Sequence, residues 1–171
     1  ARHSWIRLIE DLGLQPRLVS PATVVDQLAK TKPRVLVLPA TIAMSDAVAS
    51  AIRTYAENGG VVLADHSVGM YDEGLVLRER PALDSMFAIE GRVDDISSQL
   101  VVGGRTSKQA RLRSGASAAE LGVRAPVSDD VGGHQVQLEN EVGRGRVCYL
   151  NMAVCEYGSV RLDPKGIRAA L

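Results

Sequence analysis

Two kinds of hydrophobic pattern alternate through the first half of the chain. Residues 35–38 and 61–64 are short, unbroken apolar runs, which are typical of strands in a parallel sheet that helices cover on both faces. The segment between them repeats apolar residues at helical spacing: Met44, Val48, Ile52 and Tyr55. Because crossovers between parallel strands are right-handed, this pattern predicts that residues 33–66 form a buried βαβ unit.

Polar and small residues mark the ends of the predicted helix. Ser45 is suited to cap its first turn, and Asp46 lies where the helix dipole favours a carboxylate. The Asn-Gly-Gly sequence at 58–60 ends the helix, since glycine readily adopts the left-handed backbone that closes helices. Ligands of open parallel sheets gather beyond the carboxyl ends of strands, so we expect any site near residues 39–41 and 65–67.

The N-terminal residues continue the alternation. An amphipathic helix is predicted over 4–12, ending at Gly13, with one apolar face: Trp5, Leu8, Ile9 and Leu12. Residues 14–19 are predicted to be a short strand, and Ser20-Pro21 opens a second helix with a buried side: Val24, Val25 and Leu28. This order indicates a doubly wound α/β sheet. Because such a sheet normally starts with a strand, we expect an excised piece of a longer protein whose first strand lies upstream.

The second half of the chain is less regular. Residues 67–133 are predicted to be a loop-rich excursion. Within it we expect a short helix at 81–87, a strand at 98–102 and a basic, turn-rich loop from 103 onward. Three residues of the short helix are predicted to point inward: Leu83, Met86 and Phe87.

The sequence then predicts a C-terminal β-hairpin over 134–152. Its turn lies at 143–145, and its return strand, 147–150, is the more apolar of the two and therefore lies further inside the sheet. Residues 163–171 start a last helix, with Pro164 at its first position. The length of 171 residues fits a single domain over 1–171.

Composition and charge exclude several classes of partner. Twenty basic and twenty acidic residues give no net charge, and aromatic residues make up only 4%, so we expect no binding to nucleic acid or to a membrane surface. No apolar run approaches the roughly twenty residues that span a bilayer. The chain does not open with a signal peptide, although a precursor can carry one, so the compartment, cytoplasmic or exported, stays open.

The residues that most often hold metals are dispersed. His3, His66 and His134 share no ligand spacing, and neither HExxH nor paired CxxC motifs occur. The GGRTSK stretch lacks the spacing of a phosphate loop. We therefore predict no metal and no cofactor. A disulfide between Cys148 and Cys155 is left open, because pairing depends on geometry.

Four stretches together resemble a known fold. They are WIRLIEDLGLQPRLVS, RVLVLPATIAMSDAVASAIRTYAENGGVVLADHSVGMYDEG, PALDSMFAI and GRGRVCYLN. This series resembles the class I glutamine-amidotransferase-like fold. Among the domains with that fold, it most resembles the trimerisation domain of bacterial beta-galactosidases. The resemblance covers about two-thirds of the chain through short, mainly structural motifs. It implies a flavodoxin-like, mainly parallel sheet and a role in multidomain assembly.

The chain departs from the catalytic members of that fold at their nucleophile. Those enzymes carry a cysteine in a Gly-x-Cys-x-Gly turn after the strand that matches 61–64, whereas this sequence reads Ala64-Asp65-His66-Ser67-Val68. Their His-x-Glu pair is also missing, since the matching region reads MAVCEYGSV. Without an activated thiolate, glutamine hydrolysis by that mechanism is not expected.

A few residues remain candidates for a site. Asp65, His66 and Asp72 are the catalytic candidates, while Thr41, His66 and Ser67 are the candidates for ligand binding. The plainer interpretation is favoured: Asp65 and Ser67 satisfy backbone groups at a strand end, and Asp72 with Glu73 is a solvated loop. Trp5 and Tyr157 are considered as stacking platforms for a sugar or as core residues. The basic residues Lys108, Arg111 and Arg113 fit a solvated face or an acidic partner.

Two functional hypotheses follow from these observations. The first is a non-catalytic structural or oligomerisation module of a glycoside-hydrolase-related, beta-galactosidase-like multidomain protein, whose partners are other domains of the same chain or further copies. The second is a hydrolase or carbohydrate-binding domain with a site rebuilt around Asp65 and His66. Joint substitution of these two residues is expected to leave folding intact under the first hypothesis.

Overall fold

The computed structural model describes the first half of the chain almost completely and the second half in segments. The described ranges are 2–65, 68–89, 95–98, 101–102, 105–106, 110–113, 130–131, 134–135 and 137–150, with the single residues Val154 and Tyr157. The described ranges contain three helices: α1 (Arg2–Asp11), α2 (Val24–Thr31) and α3 (Asp46–Glu57). Strands β1 (Val35–Leu38) and β2 (Val61–Ala64) flank α3.

The later described strands form four antiparallel pairs, the last of which is a long hairpin. The short strands are β3 (Asp95–Ser98), β4 (Val101–Val102), β5 (Arg105–Thr106), β6 (Ala110–Arg113), β7 (Asp130–Val131) and β8 (His134–Gln135). Strand β3 pairs with β6, β4 with β5 and β7 with β8, each pair antiparallel. The long hairpin consists of β9 (Gln137–Val142) and β10 (Gly145–Leu150).

A four-stranded sheet in the order β1-β2-β10-β9 forms the centre of the fold. The first three strands are parallel, with Val61 of β2 opposite both Val35 of β1 and Arg146 of β10. Strand β9 pairs antiparallel with β10. The α/β class with a mainly parallel sheet and a C-terminal hairpin is therefore confirmed, as is the inner position of the return strand.

Helices cover both faces of the sheet, because side chains along each strand alternate between the faces. On one face, α2 and α3 pack onto the sheet, and Ile52 joins a core with Val62 and Tyr149. On the other face, Trp5 and Leu8 of α1 join a second cluster with Leu150. Within β2, Val62 and Ala64 belong to the first core, and Leu63 packs against the second cluster.

The ends of α3 follow the predicted chemistry. The Ser45 hydroxyl accepts a hydrogen bond from the backbone N–H of Val48 at 3.3 Å, which satisfies one of the unpaired donors of the first turn. The helix ends at Glu57, and Gly59 adopts the left-handed backbone with φ +104°. The predicted βαβ unit is thus formed with the expected boundaries.

Strand β1 differs from the prediction of a fully buried strand. It pairs only with β2 among the described strands, and Val35 is 50% exposed. The predicted strand at 14–19 is also wrong, since these residues run without regular structure and Leu18 is 68% exposed. A strand is maintained by a hydrogen-bonded neighbour, and no described strand lies beside this segment.

Smaller differences concern the helical segments. The side chains of Leu12 and Val25 are exposed rather than buried. Helix α2 begins at Val24 rather than at Ser20-Pro21, after a turn in which the Val24 N–H donates to the Ser20 carbonyl. Residues 82–88 form successive turns instead of a helix. Their inward-pointing residues are nevertheless as predicted, because Leu83, Met86 and Phe87 are buried. Part of the predicted basic loop is strand, namely β5 and β6.

Candidate functional site

The candidate site lies at the carboxyl ends of β1 and β2, where Asp65 directly follows β2. Its carboxylate is fully buried and accepts hydrogen bonds from three elements that are distant in sequence. The indole Nε1–H of Trp5 in α1 donates to it at 2.8 Å, and the backbone N–H of Ala40, just beyond β1, also donates. The third donor is the backbone N–H of Val154, beyond β10. Asp65 therefore ties α1 and two strand ends together.

Burial dominates the electrostatics of this carboxyl group. Loss of solvation raises the pKa of Asp65 above its ordinary value, and the hydrogen bonds from Trp5, Ala40 and Val154 offset part of that rise. Because the side chain is inaccessible, a substrate in solution cannot reach it in this conformation. The geometry gives Asp65 a clear structural role and supplies no support for a catalytic one.

The other candidates at the strand ends are only partly described. Thr41 is half-buried, and its carbonyl accepts a hydrogen bond from the Gly69 N–H at 2.9 Å. His66 and Ser67 lie outside the described residues, so their proposed roles in catalysis and ligand binding stay predictions. The structure therefore brings Thr41 next to the loop after β2.

Asp72 stabilises a loop. Its Oδ1 accepts hydrogen bonds from the backbone N–H groups of Gly74 at 2.8 Å and Val76 at 2.9 Å. These bonds hold a compact turn in which Leu75 has a positive φ of +62°. The apolar side chains 75–77 are exposed at the tip. Asp72 is thus engaged in local structure, and its candidacy as a catalytic acid stays a prediction.

Cys148 is a free thiol on β10 that packs against the cluster containing Trp5. Burial, with a smaller contribution from the nearby Glu139 carboxylate, raises the pKa of Cys148 to about 12. The thiol is therefore protonated at neutral pH and is not a nucleophile there. Cys155, the other cysteine, lies outside the described residues.

We expect Cys148 to resist alkylation in the folded protein. In a Cys155→Ser variant it is the single thiol, and at pH 8 iodoacetamide should modify it about 100-fold or more slowly than an unfolded thiol. Mass spectrometry of timed samples measures this rate, and the same variant in urea is the control. Labelling at the same rate with and without urea would contradict this expectation, because it would show that the folded thiol is as accessible and as reactive as an unfolded one.

Aromatic residues considered for sugar stacking belong to the core. Trp5 is buried, and so is Tyr157, whose hydroxyl donates to the Asp11 carboxylate at 3.0 Å. Neither ring is available as an exposed platform. Within the described ranges, no cluster of three or more histidine, cysteine or acidic side chains is placed to hold a metal. None of the helices that the structure describes is long and apolar enough to cross a membrane.

The sequence pattern singled out Asp65 but missed its partner. Trp5 lies 60 residues away in the sequence, and its helical spacing indicates only that it lies on the apolar face of α1. A usable signal exists, because a buried indole N–H generally needs an acceptor and a buried carboxylate needs donors. Ala40 has a left-handed backbone with φ +43°, and its N–H lies beside Asp65. No comparable signal in the sequence predicts this backbone conformation.

Taken together, the described residues define an α/β domain with helices on both faces of a mainly parallel sheet. No family model matches the sequence, and no curated protein matches it. Several solved structures, in contrast, are similar to this chain. A GH42 beta-galactosidase from G. stearothermophilus is similar with a TM-score of 0.63 and 16% identity, over 87% of this chain and 22% of that one.

Two further solved structures show a similar domain. A beta-galactosidase from Rahnella sp. has a TM-score of 0.51 and 17% identity, over 70% of this chain and 20% of its own. An exo-beta-1,4-mannosidase from an Opitutaceae bacterium has a TM-score of 0.54 and 12% identity, over 92% of this chain and 28% of its own. The chain thus spans about a fifth of the length of each of the two beta-galactosidases named above. The expected resemblance to one part of these proteins is confirmed at the level of the fold.

Proposed function

We propose that this chain is a non-catalytic structural module of a beta-galactosidase-like multidomain protein. The observation that carries the proposal is the fold match to one segment, about a fifth in length, of larger glycoside hydrolases. Two features of the site agree with it. Asp65 stands in the stretch where the related amidotransferases carry their nucleophile and is buried as a structural tie, and the Cys148 thiol is protonated at neutral pH.

The partners we propose are other domains of the same chain or further copies of it. The outer edge of β1, which pairs with no other described strand, supports this, because an exposed edge strand with an apolar residue such as Val35 readily pairs with another strand. The irregular segment 14–19 also exposes apolar side chains, Leu14 and Leu18. A further strand added beside β1 would cover this edge.

Light scattering and limited proteolysis of the full-length gene product test the proposal. Val35→Lys, on the β1 edge, is expected to dissociate the assembly or to loosen the domain toward protease. Val25→Lys is a matched control, since it places the same charge on an exposed valine of α2. Equal behaviour of both variants and the unmodified protein would contradict the assembly role.

An activity assay separates this proposal from the alternative, a hydrolase or carbohydrate-binding domain rebuilt around Asp65 and His66. The chain on its own is expected to hydrolyse neither glutamine nor a β-galactoside. Turnover that disappears in His66→Ala, with folding intact by circular dichroism, would overturn the proposal. The joint substitution of Asp65 and His66 is not used here. Contrary to the expectation from the sequence, we now expect it to disturb folding, because the buried Asp65 carboxylate accepts the Trp5 indole N–H of α1.

A further inference from the structure

A cavity of about 420 Å³ lies between the first two turns of α3 and the segment 78–85. Small side chains leave it open at four positions: Ala49, Ser50, Ala82 and Ser85. Three arginines, Arg53, Arg78 and Arg80, also line it. The cavity shares no lining residue with the strand-end site described above.

The guanidinium groups around this cavity have more donors than acceptors. Each guanidinium carries five N–H donors. Arg53 reaches only the Ala82 carbonyl and the Ser85 hydroxyl, both at 3.4 Å, which is long for a charge-assisted hydrogen bond. Arg80 reaches the Ile89 carbonyl at 3.3 Å. These partners are the ones found among the described residues, and they leave most of the donors of both arginines available.

Arg78 is the inner member of the three. It donates to the Met44 carbonyl at 3.0 Å and forms an ion pair with Asp46 at 2.7 Å, while its buried Nε–H has no partner among the described atoms. The Asp46 side chain is mostly exposed, so it approaches Arg78 from the solvent side. Its carboxylate oxygen marks where an external oxyanion would be bound.

The local charge favours an anion. Three arginines face a single carboxylate, Asp46, among the described lining residues, although the whole chain carries no net charge. Planar guanidinium groups match the spacing of oxygens in carboxylates and phosphates and bind them through paired hydrogen bonds. Low-dielectric walls around a partly enclosed cavity strengthen this attraction.

We propose that this cavity is a binding site for a small molecule that carries an oxyanion, either a phosphate or a carboxylate group. Arg53 and Arg80 bind the oxyanion at the rim, and Arg78 binds it after Asp46 moves aside. The volume exceeds that of the anion alone, so the remainder of the ligand lies over the small residues Ala49 and Ala82. This site does not depend on the structural role proposed above.

Isothermal titration calorimetry with inorganic phosphate and with malonate, at low ionic strength, tests the proposal and distinguishes the two chemistries. Saturable binding of at least one probe is expected. Arg53→Gln and Arg80→Gln should each weaken it about tenfold, because each removes a charged donor. Arg7→Gln, which removes an exposed arginine of α1 outside the cavity, is the matched control and should leave the affinity unchanged.

Asp46→Asn provides a test in the opposite direction. It removes the carboxylate that competes for Arg78 while Ser45 continues to cap α3, so it should tighten anion binding by about tenfold. Thermal unfolding without ligand establishes that each variant is folded. The proposal is overturned if neither probe saturates, if the two cavity variants bind as the Arg7→Gln control does, or if Asp46→Asn binds no more tightly than the unmodified chain.

Discussion

Gly145→Ala is expected to prevent stable folding of the domain. Gly145 is the first residue of β10, and a Cβ there would overlap with the carbonyl oxygens of Ala56 and Gly60 and lie 3.0 Å from the Ala56 carbonyl carbon. All these atoms belong to the backbone, at the end of α3 and just before β2, and cannot rotate away as the tip of a side chain can. We expect a loss of more than about 3 kcal/mol, a large part of the stability of a typical domain.

The reason lies in how the hairpin meets the βαβ unit. The Arg144 N–H donates to the Glu57 carbonyl at 3.0 Å, and the Arg146 N–H donates to the Gly60 carbonyl at 3.3 Å, so β10 enters the sheet directly against the end of α3. An added methyl group would separate these backbones and break both hydrogen bonds. Strand β10 would then lose its register with β2 on one side while remaining joined to β9 on the other.

Urea unfolding followed by circular dichroism measures this effect. Gly13→Ala is the matched control, because it also introduces a methyl group, at a left-handed position with φ +77° but with no atom within 4 Å of the new Cβ. It should cost only about 1–2 kcal/mol, the penalty for a Cβ in the left-handed conformation. If Gly145→Ala proves no less stable than Gly13→Ala, the close approach of β10 to α3 is wrong.

The sequence pattern predicts the parts of this fold that depend on local order. The apolar runs at 35–38 and 61–64 and the cap at Ser45 are local signals, and both strands and the helix form at those positions. The segment 14–19 shows the limit of such signals. Its strand-like pattern yields no strand, since a strand depends on a neighbour that the segment itself does not encode.

The same limit applies to the candidate site. Its position at the strand end follows from the topology, and Asp65 is indeed there. Its burial depends on Trp5 of α1 and on the backbone beyond β1 and β10, which only the tertiary structure brings together. A polar triple in the sequence therefore indicates where to look, and packing decides whether a carboxylate faces substrate or the protein interior.

Asp65→Asn is expected to destabilise the domain by about 2–3 kcal/mol at pH 7, because it leaves a buried donor without an acceptor. The carboxylate accepts N–H groups from Trp5, Ala40 and Val154. An amide of the same shape keeps one oxygen and directs its NH₂ group at one of these donors. Asp72→Asn is the matched control: the Asp72 turn needs a single oxygen, which asparagine retains, so its stability should change little.

A double-mutant cycle tests whether Trp5 acts through Asp65. Trp5→Phe removes the indole N–H, and we expect the Asp65→Asn substitution to cost clearly less in that background, because one donor no longer needs an acceptor. Urea unfolding of the four proteins measures the coupling. Strictly additive losses would mean that this hydrogen bond contributes nothing to stability.

The dependence on pH gives an independent check of the same carboxyl group. Burial raises the pKa of Asp65 in the folded state, so the folded protein binds this proton more tightly than the unfolded chain does. Its contribution to stability is therefore full below the unfolded pKa of about 4 and is lost as the pH rises through the raised folded value. Asp65→Asn has no proton to lose at this position. The unfolding free energy of the unmodified protein minus that of this variant should thus decrease as the pH rises above about 4 and then level off. An increase of this difference with pH would instead mean that the pKa of Asp65 is lowered in the folded state.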